Sequence, residues 1–539
     1  MRKVSILHRI RRNLRTRNSL YHPRNRIYKW FVLGNVMLGT FMAVLDGTIV
    51  NVGLPKIMSA FGVGLDTIQW VITAYMLAMA AMLPTSGWLA DKFGYKKIYF
   101  LGMFLFTLGS MFCGMSHDEV SLIMSRIVQG LGSGMVQTLG MAIIVREFPP
   151  TQRGVALGFW SIASAASVSF GPLIGGYLVD NFGWQLIFDV NVPVGIFALL
   201  FTIVIQREVK NPNTRKFDLL GFVSVIIFLP VLLYALTEGN AASNSEGWRA
   251  PYILLCFAIS GFAFVVFIMR ELTTSHPLIN LRLLKYHNFG LGSIFIFIFG
   301  MGMFGSTFLL PLYLQTAMGY TALQSGAVFL PVGIIQGCIA PIVGISADKS
   351  NPKIPIFIGI CLLSLSFYAN TNFSFMTEHS AVMVSLYLRG FGMGMIFTPL
   401  SALSLLNLPH TQMAQASSIT NTMRQIGGSL GIAVFSTLLT ARTNFHTQVY
   451  GQAINPQSEA FRDVTQNMAY HIQQSGGSSF ATAVKQSQAL ISSHVNAQAF
   501  IQGINDVFWI ACLVTILGVI PILLMYSRKR VMAGNSKNN

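Results

Sequence analysis

The chain has 539 residues, a formal net charge of +18, 53% hydrophobic residues and only 10% charged ones. A soluble domain carries roughly 25% charged residues, so an ordinary soluble globular protein is excluded. The mean hydropathy of +0.59 and apolar runs of about 20 residues point to repeated membrane crossings. The five cysteines, Cys113, Cys256, Cys338, Cys361 and Cys512, sit inside apolar stretches without a C-x-x-C pair, which argues against a disulfide framework, redox chemistry and structural zinc.

Residues 1–30 read as a basic cytoplasmic tail with ten Lys and Arg, from Arg2 to Lys29. Because it directly precedes an apolar run, it is expected to contact anionic membrane lipids, and no nucleic-acid partner is expected. Within 31–206, apolar windows predict spans at 31–54, 68–89, 98–115, 122–145, 155–178 and 186–205. Two inserted helices follow within 207–270, at 219–236 and 252–269. Within 271–526, six more spans are predicted at 289–314, 325–345, 354–373, 381–405, 416–439 and 507–525, before a tail over 527–539. The long continuous runs fit helices, whereas barrel strands would show short segments of alternating polarity. The expected fold class is therefore an all-α polytopic membrane protein of 14 spans, two six-helix bundles plus two inserted central helices. Residues 441–505, with ten Gln, are expected to form an extracytoplasmic loop that Ser475–Ser478 divides into two exposed amphipathic helices.

Placing both termini in the cytoplasm puts 28 of the 36 Lys and Arg on the inner side. Only Lys56, Arg249, Arg442, Arg462 and Lys485 then fall outside, and Arg126, Arg389 and Arg424 lie within spans. That asymmetry fixes the expected orientation. A cleavable signal peptide is not expected, since the first apolar run is long and contains Asp46.

The chain also repeats. Gly87–Lys92 and Gly344–Lys349, Gly130–Met135 and Gly390–Met395, Pro55 and Pro311, and Gly171 and Gly427 recur at offsets of 256 to 260. Two homologous halves of this kind are expected to hold a substrate between them at the bilayer midplane.

Few charges remain inside the spans. Asp46 lies mid-span, where an isolated charge costs at least about 2.5 kcal/mol. Asn35, Met42, Asp46 and Gly53 share one helix face, a polar stripe suited to a cavity. The repeat sets Met303 opposite Asp46, so only the first half carries this acid. Arg126 is its expected partner, with Gln129 and Gln137 on the same face of span 4. Such a pair can exchange a proton, or it can be a fixed ion pair that orients two helices. Asp91, Lys92, Lys96 and Lys97, with Gly87 and Gly94 permitting close helix approach, form a charged turn that could latch the halves on the inner side or serve only topology. Asp348 and Lys349 repeat it weakly. In span 5, Gly171, Pro172, Gly175 and Gly176 predict close packing and a bend. Asn35, Met42, Gln129, Gln137, Asp189 and Arg424 are the candidate substrate-cavity residues, Asp189 lying near the outer mouth and Arg424 lacking an evident carboxylate partner. Gly427–Gly431 and Gly300–Gly305 match nucleophile and dinucleotide patterns only as strings, outside any strand-turn-helix context. No enzyme, metal site or cofactor is expected. With no Walker pattern, ATP is not the expected energy source.

Taken together, these motifs resemble the major facilitator superfamily, in particular its 14-span drug:proton antiporter branch of the EmrB/QacA type. The resemblance rests on Leu45–Val52, Gly87–Lys97, Arg126–Gly130 and Gly171–Gly176. It implies proton-coupled export of lipophilic or amphipathic compounds across the cell inner membrane, driven by the proton gradient, with Asp46 and Arg126 linked to coupling. For a host with an outer membrane it further implies a periplasmic adaptor and an outer-membrane channel. Tyr95 departs from the family pattern where a basic residue is usual, and Ser167 and Gln185–Leu186 depart from it in and after span 5.

Overall fold

A computed structural model describes residues 27–526, apart from 149–152, 210–217, 240–243, 245, 276, 278, 350, 406–407, 409–412, 454–458 and 477–478. The basic tail and the 527–539 tail lie outside the described residues. Those described are helical and carry no strand. The first half comprises α1 (Tyr28–Phe61), α2 (Leu65–Phe93), α3 (Tyr95–Gly114), α4 (Glu119–Glu147), α5 (Arg153–Phe182) and α6 (Asn191–Ile205), the last preceded by the single turn Leu186–Asp189. The inserted pair is α7 (Leu219–Glu238) and α8 (Pro251–Thr273). The second half comprises α9 (His287–Thr316), α10 (Leu330–Lys349, preceded by the turn Ala322–Ala327), α11 (Lys353–Ala369), α12 (His379–Leu405), α13 (Met413–Ala453), α14 (Glu459–Gly476) and α15 (Phe480–Leu517).

Thirteen stretches among the described residues are long and apolar enough to cross a membrane. The fifth expected span falls in α5, which is not among these thirteen. The helices also outrun the apolar windows. α13 is 41 residues long and α15 is 38, about 60 Å each at 1.5 Å per residue against a hydrocarbon core about 30 Å thick. Residues 441–453 and 480–505 therefore continue these two helices, and only Glu459–Gly476 forms a separate helix, packed on α15. Hydropathy locates the membrane edge, but a helix can continue in water beyond it, and residues 440–450 contain no Pro and no Gly to interrupt α13.

The packing follows the repeat. In the first half α1 packs on α4, α5 and α6, and α4 packs on α2 and α3; in the second, α9 packs on α12, α13 and α15, and α12 packs on α10 and α11. The halves meet along two related seams, α2 with α13 and α5 with α10. α7 and α8 pack on each other, and α7 flanks the first seam, where Gln69 Nε2 donates to Thr237 Oγ1 at 3.2 Å and Thr437 Oγ1 to the Leu236 carbonyl at 3.1 Å.

The halves bond closely at the end remote from Lys92, Arg146, Arg207 and Lys353, which the charge pattern assigns to the outside. Asp180 at the end of α5 accepts from the backbone N–H of Ala322 at 3.2 Å and of Leu323 at 2.7 Å. Gln315 donates to the Val52 carbonyl at 2.9 Å, and Thr440 donates to Asp66 at 3.0 Å. Gly176 lets α5 reach the turn Ala322–Ala327, since a Cβ there would lie 2.3 Å from the Ala322 carbonyl oxygen. Further along α2 and midway along α10 there is open space, for a Cβ at Gly87 or Gly337 would meet nothing within 4 Å.

Gly176→Val is expected to hold this outer seam open, because a backbone oxygen cannot move aside as a side chain can. A cysteine placed at Leu323 in a cysteine-free background should then react with a membrane-impermeant maleimide several-fold faster, and an unchanged rate would contradict this seam.

Candidate functional site

Arg126 and Asp46 are both fully buried and form an ion pair through Nη1 and Oδ2. Moving either charge alone from water into such an interior costs several kcal/mol, so the surrounding atoms must compensate. They do so from five helices. Arg126 Nη1 also donates to Gln129 Oε1 at 2.6 Å, and Arg126 Nε to the Val71 carbonyl at 2.9 Å. Gln129 Nε2 donates to the other carboxylate oxygen of Asp46 at 2.8 Å and to Ser110 Oγ at 3.0 Å. Asn191, the first residue of α6, donates to Asp46 at 3.1 Å and to Ser110 at 3.2 Å. The Tyr75 ring lies 4.0 Å from the guanidinium carbon, and its hydroxyl bonds the Ala43 carbonyl and Ser133.

Glycines allow the helices to close around this cluster. A Cβ at Gly109 of α3 would come 2.5 Å from the Gln129 backbone nitrogen, and one at Gly130 of α4 would come 2.4 Å from the Tyr75 carbonyl oxygen. The break at Val190 sets Asn191 facing Asp46, while Asp189, one residue outward, is half-buried over Gly114.

The rest of the expected polar stripe turns into the first bundle. Asn35 Nδ2 donates to Thr202 of α6 at 2.8 Å, and Met42 packs with Ala43 and Phe106; both are buried and neither faces the seam between halves. Gln137 does approach the seam, meeting Met79 Sδ at 3.3 Å, which also accepts from Gln425 of α13 at 3.8 Å. Arg424 bonds Asn421 at 3.1 Å and lies 5.6 Å from the Phe397 ring.

The charged turn engages its own half. Asp91 accepts from Tyr95 at 3.1 Å, Lys92 lies 4.8 Å from the Trp88 ring centroid, and Lys96 donates to the Ile203 carbonyl at 2.6 Å, while Lys97 is exposed. Gly94, at φ +111°, makes the bend between α2 and α3. Arg146 stacks on Tyr95 at 4.0 Å, placing a cation where the sequence departs from the family pattern. Gly171 and Gly175 seat α5 on Thr48 and Ile49 of α1, and the Pro172 carbonyl touches Gly326.

The sequence pointed to Asp46, Arg126 and Gln129, but Ser110, Asn191 and Tyr75 were missed. They are neutral residues in apolar surroundings, and only the pairing of α2 and α3 with α4, and of α6 with α1 and α3, brings them in. In the second half the buried cation of the corresponding helix is Arg389, which the offset of 260 sets opposite Gln129, one turn from the place of Arg126. Its Nη2 donates to the Met303 carbonyl at 3.0 Å and to Thr307 Oγ1, and Met303 is the residue the repeat sets opposite Asp46. Among the described residues no group of His, Cys, Asp and Glu is arranged to hold a metal ion.

Residues 36–432 match the Major Facilitator Superfamily. The chain belongs to this family. It is 32% identical over 485 residues to the uncharacterized MFS-type transporter YhcA of Bacillus subtilis (strain 168), covering 90% of each chain. It is 30% identical over 476 residues to the multidrug export protein EmrB of Escherichia coli (strain K12), covering 88% of this chain and 91% of EmrB. The fold resembles a bacterial homolog of the human lysosomal transporter Spinster in an inward-facing, unoccupied conformation, with TM-score 0.64 and 15% identity, covering 94% of this chain and all of that one. The protein is thus a membrane-embedded transporter of small molecules with multidrug-export relatives, not an enzyme.

Breaking the buried pair from one side should cost about 3–5 kcal/mol, because one charge is left uncompensated. Arg126→Met is expected to lower the thermal unfolding midpoint in detergent more than Arg126→Met combined with Asp46→Asn. Equal loss in both would contradict the coupling of the two residues.

Proposed function

We propose that the protein is a proton-coupled antiporter that exports lipophilic or amphipathic small molecules by alternating access, with Asp46 as the proton-carrying group. The observation that carries this reading is the fully buried Asp46–Arg126 pair in the first half, set against a second half in which, among the described residues, Arg389 bonds a carbonyl and a hydroxyl and no carboxylate. A pair enclosed in low dielectric changes its energy strongly when one member is neutralised, whereas an exposed pair does not. The multidrug-export relatives support the substrate class.

In this reading the structure represents the state closed outside, with Asp46 ionised and its proton delivered inward. Substrate enters between the halves from the inner side. Opening outward exposes the cavity, substrate leaves, and a proton from outside neutralises Asp46. Arg126 and Gln129 then lose their carboxylate partner. α1 carries this change directly, because Val52 holds Gln315 of the second half, Thr48 seats Gly171, and Ile49 seats Gly175, one residue before Gly176 of the outer seam. The loop charges Asp91, Lys92 and Lys96, engaged within the first half in this state, serve as the inner latch in the opposite one.

Proteoliposomes with an imposed proton gradient test the proposal, using ethidium and a panel of lipophilic weak acids as probes. Wild type is expected to move substrate uphill, and Asp46→Asn to lose at least about tenfold of that rate while retaining substrate exchange without a gradient. Uphill transport by Asp46→Asn at the wild-type rate would overturn it.

A further inference from the structure

At the inner end of the first half, away from the Asp46 site, a cavity opens between the start of α1, the start of α3, the end of α4 and the segment after α6. Its lining includes Lys96, Arg146, Glu147, Gln206 and Arg207. Three cations thus face one carboxylate, and the hydrogen bonding is equally unbalanced. Gln206 is only 4% exposed, yet neither its side-chain nitrogen nor its oxygen has a hydrogen-bond partner. Arg207 stacks on the Tyr28 ring at 3.7 Å, and its Nε and Nη2 are buried without a bond. Buried polar groups are almost always satisfied, and three nitrogens here, Gln206 Nε2 and Arg207 Nε and Nη2, lack acceptors against one oxygen, Gln206 Oε1, that lacks a donor, an excess of donors that an oxygen-rich ligand would meet. An anion also balances the excess positive charge.

The surroundings identify its source. In the orientation that the charge pattern assigns, the cavity lies at the inner ends of these spans, and the neighbouring surface of α1 and α6 presents aromatic rings outward. Trp30 and Phe31 are 43% and 42% exposed, and Phe31 packs edge-on to Phe201, itself stacked on Phe197. A charged cleft with an apolar, lipid-facing flank fits a molecule with an anionic head and hydrocarbon tails.

We propose that this cavity binds the phosphate of an anionic phospholipid of the inner leaflet, with Arg207, Gln206 and Arg146 donating to its oxygens and the acyl chains lying along Phe31 and Phe201. Glu147 is the internal competitor for the same cations. Burial raises its carboxyl above the ordinary carboxylate range, against the pull of Arg207 and Arg146, so its ionised form is held at a cost that a bound phosphate would increase. A zwitterionic headgroup brings a second cation into a site that already has three and should bind less well. The site is independent of proton coupling, and its test stands or falls separately from that reading.

Binding to the full-length protein in neutral detergent can be measured calorimetrically with dioctanoyl phosphatidylglycerol, dioctanoyl phosphatidylcholine and inorganic phosphate. Saturable binding of phosphatidylglycerol is expected, weakened about tenfold by Arg207→Gln and strengthened several-fold by Glu147→Gln, with the other two probes binding more weakly. The opposite signs of the two variants separate a binding site from general loss of fold. Affinities for phosphatidylglycerol within twofold of wild type in both variants would overturn the site. Equal binding of inorganic phosphate or phosphatidylcholine would overturn its assignment to an anionic lipid.

Discussion

The structure depends on one constraint: a carboxylate and a guanidinium held together where no water reaches either. Asp46 and Arg126 are compensated only because α1, α2, α3, α4 and α6 each bring a polar group or an aromatic face to the same point. That requirement explains the glycines at 109 and 130, which serve close helix approach, and the interruption of the helix at Val190, which turns Asn191 inward. Asp46, Gln129, Ser110 and Asn191 bond one another, and Arg126 bonds through Nε and Nη1 while its Nη2 is left without a hydrogen-bond partner, so the network ties five helices together at its most expensive feature. The same arrangement makes the site responsive, because neutralising one atom group alters the balance for all of them.

The second half follows the same helix pairing without the same chemistry. Arg389 is buried like Arg126, but its partners are the Met303 carbonyl and the Thr307 hydroxyl, which do not titrate in any accessible range. Two bundles built on one pattern thus differ: the first holds its buried cation against a carboxylate, the second against neutral oxygens. Between them, the outer seam rests on helix-end bonds through Asp180, Asp66 and Gln315 and on contact at Gly176, all few and local. A seam of that kind suits a protein that must separate and re-form it in each cycle.

Much of this was legible in the sequence, for physical reasons that differ by feature. Apolar length located the helices because a bilayer sets the span, and the repeat offsets anticipated the matching packing of α1–α6 and α9–α15. Asp46 and Arg126 stood out because charge inside a span is costly enough to need a reason. Asn35 and Met42 shared the helix face of Asp46, yet that face turns toward α3, α4 and α6 and not toward the seam, which periodicity alone does not distinguish. Ser110, Tyr75 and Asn191 carry no such cost and became visible only through tertiary contact. The 441–505 stretch exposed a further limit, since polarity marked the end of the membrane while α13 and α15 continued as helix.

Proton coupling through Asp46 is tested most directly by infrared difference spectroscopy of the reconstituted protein, recorded between high and low pH and again on addition of a transported compound. A proton carried by Asp46 predicts a protonated-carboxyl carbonyl band that appears on acidification, diminishes when substrate binds, and is missing from Asp46→Asn. Identical difference spectra in wild type and Asp46→Asn would contradict it.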